Sequence, residues 1–162
     1  FNHRYLQEMG DDALAQLYKP VLAAHGVDPS AWSDGYIARV VGLVKSRINF
    51  VGDLWEQSRF FFVEPAEYEE KSVRKRWNAD MPAIMAEFVE VLKGADSFDA
   101  KVLEPVVLGW IADKGYHLGN VMNAFRLTVV GECKGPHMFD ITELLGRDET
   151  IRRIRLGIER LG

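Results

Sequence analysis

Most segments of the chain repeat apolar residues at helical spacing and few alternate at period two, so the sequence predicts a string of short helices. Asp11 and Asp12 are expected to cap a first helix holding Leu14, Leu17, Tyr18, Val21 and Leu22, with a possible kink at Pro20 and a stop at Gly26. Ser33 or Asp34 opens a second through Ile37, Val40, Val41 and Val44, carrying Arg39, Lys45 and Arg47 towards its end; Asn49 ends or bends it. A third holds Leu54, Trp55 and the run Phe60-Phe61-Phe62, read as core rather than as a base-stacking platform, and closes at Pro65. From Glu64 to Arg76 the chain is dense in charge and reads as an exposed connection. Met81-Pro82 leads into a helix with Ile84, Phe88, Val91 and Leu92 on one side. Ser97 or Asp99 caps a longer helix through Val102, Val106, Leu108, Trp110 and Ile111, ended by Gly115.

Residues 118–130 read as a helix, although Thr128-Val129-Val130 also suits a strand. Gly131 to Pro136 is a loop, Phe139 to Leu145 a short helix, and Asp148 caps a last helix through Ile151, Ile154, Leu156 and Ile158. The expected fold class is all-α, built from many helices.

Composition narrows the function more by exclusion than by suggestion. The 162 residues are 48% hydrophobic and 27% charged, enough for a packed core in one domain or two small ones. One cysteine, Cys133, allows no internal disulfide, and four histidines without a Cys/His spacing give no zinc framework; a reducing, cytoplasmic setting is expected. No apolar run reaches the ~20 residues that cross a bilayer, so no membrane partner is expected. The first residue is Phe1 rather than Met, which reads as a piece of a longer chain.

A net charge of −4 does not by itself suggest nucleic acid, but the cations are clustered: Arg39, Lys45 and Arg47; Lys71, Arg74, Lys75 and Arg76; Arg152, Arg153 and Arg155. Each cluster reads more readily as a solvated helix face, and Lys71, Arg74, Lys75 and Arg76 are taken as one. Catalytic signatures are missing: there is no Gly-rich phosphate loop, no HExxH and no GxSxG. Cys133 lies beside Lys134 and near His137, with no acid to orient that histidine, so a nucleophilic cysteine is a weak reading.

The last third contains Met122-Asn123-Ala124-Phe125-Arg126, then Gly135-Pro136-His137-Met138, then Leu145-Gly146-Arg147-Asp148-Glu149 followed by Arg152 and Arg153. In order and spacing this resembles the C-terminal signature of bacterial glutamyl-tRNA synthetases, with its "G-P-x-L" loop and "L-G-K-E" ending. Phe125, Met138 and Arg147-Asp148-Glu149 depart from that pattern. Phe1-Asn2-His3-Arg4-Tyr5-Leu6 is similar to the family's "W-x-N-x-x-Y" segment, Val44-Lys45-Ser46-Arg47 to its "E-R-x-x-T-L" helix end, and Ser58-Arg59-Phe60-Phe61-Phe62 to its "Y-F-[FY]" element. The family's HIGH and KLSKR signatures are absent.

The resemblance implies the anticodon-recognising part of a class I synthetase: the end of a stem-contact region over 1–30 and two helical anticodon-binding subdomains over 31–94 and 95–162. It implies tRNA(Glu) as partner, together with a catalytic domain on the same chain that binds ATP with magnesium, in a monomeric enzyme; this portion holds no cofactor or metal and does no catalysis. Carried over residue by residue, Arg47 reads the third anticodon base, Arg126 lies on the anticodon side, and Gly135, Pro136 and Met138 form a second base-contacting segment. Other readings are the related domain of a class I lysyl-tRNA synthetase, or a helical protein-interaction module.

Overall fold

A computed structural model describes residues 3–162 of the protein; Phe1 and Asn2 of the opening motif lie outside the described residues. Among those described there are ten α-helices, short 3-10 turns and no strand. The all-α expectation holds, including the ambiguous Thr128-Val129-Val130, which completes a helix. The chain divides into two compact units, Phe1–Val63 and Glu64–Gly162.

The first unit contains α1 (His3–Glu8), α2 (Asp11–Ala24), α3 (Asp34–Val44) and α4 (Asp53–Ser58). Its core is the face that periodicity selects: Leu14, Tyr18 and Leu22 of α2 are fully buried with Ile37, Val40, Val41 and Val44 of α3. Ser33 caps α3 by accepting the Tyr36 N–H at 3.0 Å. For α2 the expected cap is replaced. Gly10 is the N-cap, without a side-chain bond, and Asp11 and Asp12 sit in the first turn, where their charge meets the positive end of the helix dipole. Phe60, Phe61 and Phe62 are buried, as read. The hydroxyl of buried Tyr18 is 2.7 Å from the Ser58 hydroxyl and 3.2 Å from the Leu54 carbonyl, and its burial pushes the phenol pKa well above the usual range.

The second unit contains α5 (Glu70–Arg76), α6 (Met81–Gly94), α7 (Ala100–Lys114), α8 (Leu118–Val130), α9 (Met138–Leu145) and α10 (Arg147–Leu161). The supposed connection between Glu64 and Arg76 thus includes a two-turn helix, which packs on α8 and buries Ser72. Of the apolar residues that the sequence places along α7, Ile111 is buried and Trp110 half-buried, but the other three face outward. Leu103, Val107 and Ile111 are buried, whereas Val102, Val106 and Leu108 are 40%, 41% and 37% exposed. The last helix is capped by Gly146 at φ 83°, not by Asp148, which lies in its first turn. α10 packs on α6 and α8, and at Gly157 a side-chain carbon would stand 2.5 Å from the Thr128 methyl, so only glycine permits this approach of α10 to α8.

Candidate nucleic-acid interface

In the first unit, α3 tightens after Val44 into the 3-10 turn Lys45–Arg47, which leads to Ile48. Val44 and Ile48 are fully buried and pin both ends of this turn. Lys45 is not part of an open basic stripe: its ammonium donates to the Met9 carbonyl at 2.8 Å and pairs with Asp11 at 3.0 Å. Its own carbonyl accepts from the Gln7 amide, and His3 donates from Nδ1 to the Ile48 carbonyl at 2.6 Å. Beyond Ile48, one carboxylate oxygen of Asp53 accepts the backbone N–H groups of Asn49 and Phe50, each at 3.0 Å. The backbone that carries Arg47 is therefore fixed on both sides, while Arg47 itself is exposed. A long cationic fork on a rigid base suits recognition of a planar acceptor pair.

In the second unit, Arg126 stands on α8, which begins with the His117 ring accepting the Asn120 N–H and ends at Gly131, φ 94°. The loop that follows is tied back to its own unit at three points. The Gly131 carbonyl accepts the Glu69 N–H at 2.8 Å, the Cys133 thiol lies 3.7 Å from the Asn123 carbonyl, and Arg126 donates to the Pro136 carbonyl at 2.8 Å. Gly135 has φ 138°, a conformation that side-chain-bearing residues rarely adopt. The structure thus brings Arg126 and Pro136 together. Pro136 is buried, and Met138, the first residue of α9, is 2% exposed, so its side chain belongs to the core. His137, exposed between them, has Nε2 at 3.1 Å from Glu104. Cys133 and His137 are each engaged elsewhere, and neither is set up as nucleophile and base.

The Arg152-Arg153-Arg155 cluster is largely structural. Arg153 is 3% exposed and donates to the Val129 carbonyl at 2.9 Å and to Glu149 at 2.7 Å. Arg152 also binds Glu149, and this contact above all holds the Glu149 carboxyl below its ordinary pKa and the Arg152 guanidinium above its own. Beside α10 an open groove of about 550 Å³ is lined by Lys93, Arg147, Arg152 and Arg155, with Asp148 and Glu159 among them. Periodicity gave no sign of it. Its cations are mostly committed: Lys93 to Glu90 at 3.0 Å, Arg147 to the Ala95 carbonyl and the Phe98 ring, and Arg152 to Glu149. A second feature missed in sequence is the Glu87 carboxylate on α6. It accepts from Trp110 and Tyr116, both at 2.9 Å, and pairs with Lys114 at 3.2 Å; the Trp110 bond does most to lower its pKa.

These helices and loops have close counterparts in known proteins. Residues 13–158 match the family described as "Anticodon binding domain". A glutamate–tRNA ligase of Phocaeicola vulgatus is 51% identical over 159 residues, 98% of this chain and 31% of the relative. One from Porphyromonas gingivalis is 51% identical over 162 residues, 100% of this chain and 32% of the relative. Among solved structures, a glutamate tRNA ligase from Elizabethkingia meningosepticum in complex with its amino acid superposes with a TM-score of 0.90 at 36% identity, covering 99% of this chain and 31% of that one. The chain spans about a third of the length of these ligases. With nine-tenths of its residues inside the family match and its helices superposing on those of a ligase, the chain belongs to the anticodon-binding domain family.

Proposed function

We propose that the chain is the anticodon-reading portion of a bacterial glutamate–tRNA ligase, recognising tRNA(Glu) for a catalytic domain on the same polypeptide. That domain would use ATP with magnesium to attach glutamate, in a cytoplasmic, monomeric enzyme. The observation that carries the reading is end-to-end similarity to such ligases at about half identity. It favours RNA recognition over a helical protein-interaction module or a lysyl-specific relative.

In this reading Arg47 meets the third anticodon base. Cytosine offers adjacent O2 and N3 acceptors to a guanidinium fork, whereas guanine, the corresponding base of glutamine tRNA, turns N1–H and N2–H donors towards it. Arginine has no acceptor, so guanine leaves donors unsatisfied on both sides, and this mismatch provides the rejection. Arg126 acts through Pro136, holding the Gly135–Pro136 backbone for close approach to a second base. Met138 contributes main-chain position rather than its side chain, which its burial keeps away from RNA.

The test is the ratio of kcat/KM for glutamate and glutamine tRNA transcripts at one salt concentration, using full-length enzyme with and without Arg47→Gln. A glutamine side chain carries both donor and acceptor, so the ratio is expected to narrow. Equal losses on both transcripts would show Arg47 to be a phosphate or loop contact.

A further inference from the structure

Phe50 exposes 64% of its surface, more than any other large apolar side chain among the described residues. Most other aromatic rings of the first unit are engaged: Trp32 with Tyr36 at 4.9 Å, His25 with Trp55 at 4.4 Å, Phe62 with Tyr18 at 5.9 Å, and Phe60 with Phe61 at 4.5 Å. Phe50 has no ring partner among the described residues. Loose chain does not explain its exposure. Its N–H is held by the Asp53 carboxylate at 3.0 Å, its carbonyl accepts the Asp53 N–H at 3.0 Å, and Ile48 two residues before it is fully buried. These bonds close the turn on itself and fix the Phe50 backbone three residues beyond Arg47.

A phenyl ring displayed to water on an ordered backbone loses apolar burial and keeps little backbone entropy in exchange. Such an arrangement suits a partner with a flat, apolar face. Resting on the reading of Arg47 given above, we propose that Phe50 is a stacking platform for an unpaired base of the anticodon loop, adjoining the base that Arg47 reads. The division of labour is chemical. Every base presents a π face, so a stacked phenyl supplies affinity without choosing a sequence, whereas the guanidinium fork supplies the choice. Because the turn is already formed, stacking orders little besides the ring itself. The nearest acid along the chain, Asp53, has its carboxylate turned to two backbone donors.

The experiment uses full-length protein and a glutamate-tRNA anticodon stem-loop in which 2-aminopurine replaces one loop base at a time, the cytosine assigned to Arg47 excepted. With wild-type protein one position is expected to change fluorescence sharply as its base moves from the RNA stack onto the ring. Phe50→Ala should abolish the change at that position and weaken binding about tenfold. Phe50→Tyr should restore both, and Phe50→Leu should behave like Phe50→Ala. If Phe50→Leu or Phe50→Ala binds and reports like the wild type, the ring is not a platform. If wild-type protein does not bind the stem-loop, or if Arg47→Gln does not alter preference for the cytosine, the anticodon reading itself falls and takes this proposal with it. A normal Arg47 effect beside an inert Phe50 removes the platform alone.

Discussion

Arg126 reaches Pro136 from guanidinium Nη1 to carbonyl oxygen at 2.8 Å, a bond that ties helix α8 to the loop ten residues further on. Arg126→Ala leaves a carbonyl on a buried residue without this donor and is expected to cost about 1–3 kcal/mol. Its signature is local. Hydrogen exchange should rise across 131–137 while α3 keeps its protection, and unchanged exchange in that loop would mean that other contacts hold it.

Met138 separates a core role from a base contact. Its side chain is 2% exposed, so Met138→Ala should destabilise the protein by about 2–5 kcal/mol, whereas the volume-conserving Met138→Leu should cost less than about 1.5 kcal/mol. Urea unfolding reads both. A side chain that touches RNA would instead leave stability alone and weaken tRNA binding in each variant.

Glycine 157 offers a steric test of the helix pair α8 and α10. A methyl group at this position meets the Thr128 methyl at 2.5 Å and its Cβ at 2.9 Å, and Thr128 is fully buried and branched. Neither partner has a flexible end to move aside. Gly157→Ala is expected to lose about 1–3 kcal/mol despite alanine's better helix propensity, and a thermal midpoint equal to or above the wild type would contradict the packing described.

Much of this architecture is legible in the sequence because each unit buries helical stripes, and stripes follow from spacing. Tyr18, Val40, Phe88 and Ile154 all fall where periodicity puts them. The failures have physical causes. Asp11 and Asp148 have the right chemistry for caps, but backbone geometry gives that position to Gly10 and to Gly146 with its positive φ. Charge density between Glu64 and Arg76 hid α5, whose two turns offer little period to read. On α7 two apolar faces compete, and spacing cannot choose between them. At the candidate interface the position of Arg47 at the end of α3 is legible from spacing, yet the inward turn of Lys45 and the Arg126–Pro136 bond depend on groups brought together only by folding.

Acid should act on Glu87 in a definite direction. Its carboxyl is held below the ordinary glutamate range by Trp110 first, with Tyr116 and Lys114 adding to the effect. The stabilisation is therefore present above the unfolded pKa, ~4.3, and is lost as pH falls through the lower folded value. Glu87→Gln removes the titrating group. The stability gap between wild type and mutant, followed by urea unfolding, should be constant near neutrality and shrink from about pH 5 towards pH 3; a gap that does not change would mean that Glu87 contributes only through shape.

The two apolar faces of α7 leave the hydrophobic effect nearly indifferent to rotation of this helix about its own axis. Turning it to bury Val102 and Val106 in place of Leu103 and Val107 would exchange one greasy surface for another. Besides buried Ile111 and the Trp110 ring on Phe88 at 5.2 Å, what distinguishes the two settings is polar: the Ala100 N–H on Glu143 at 2.8 Å, Glu104 against His137 at 3.1 Å, and Trp110 on Glu87 at 2.9 Å. These contacts work as keys along the length of the helix, each fitting at one angle only. The azimuth of α7 is therefore encoded by the directions of donors and acceptors as well as by avoidance of water, and removing the keys together should loosen which side faces inward before it melts the helix.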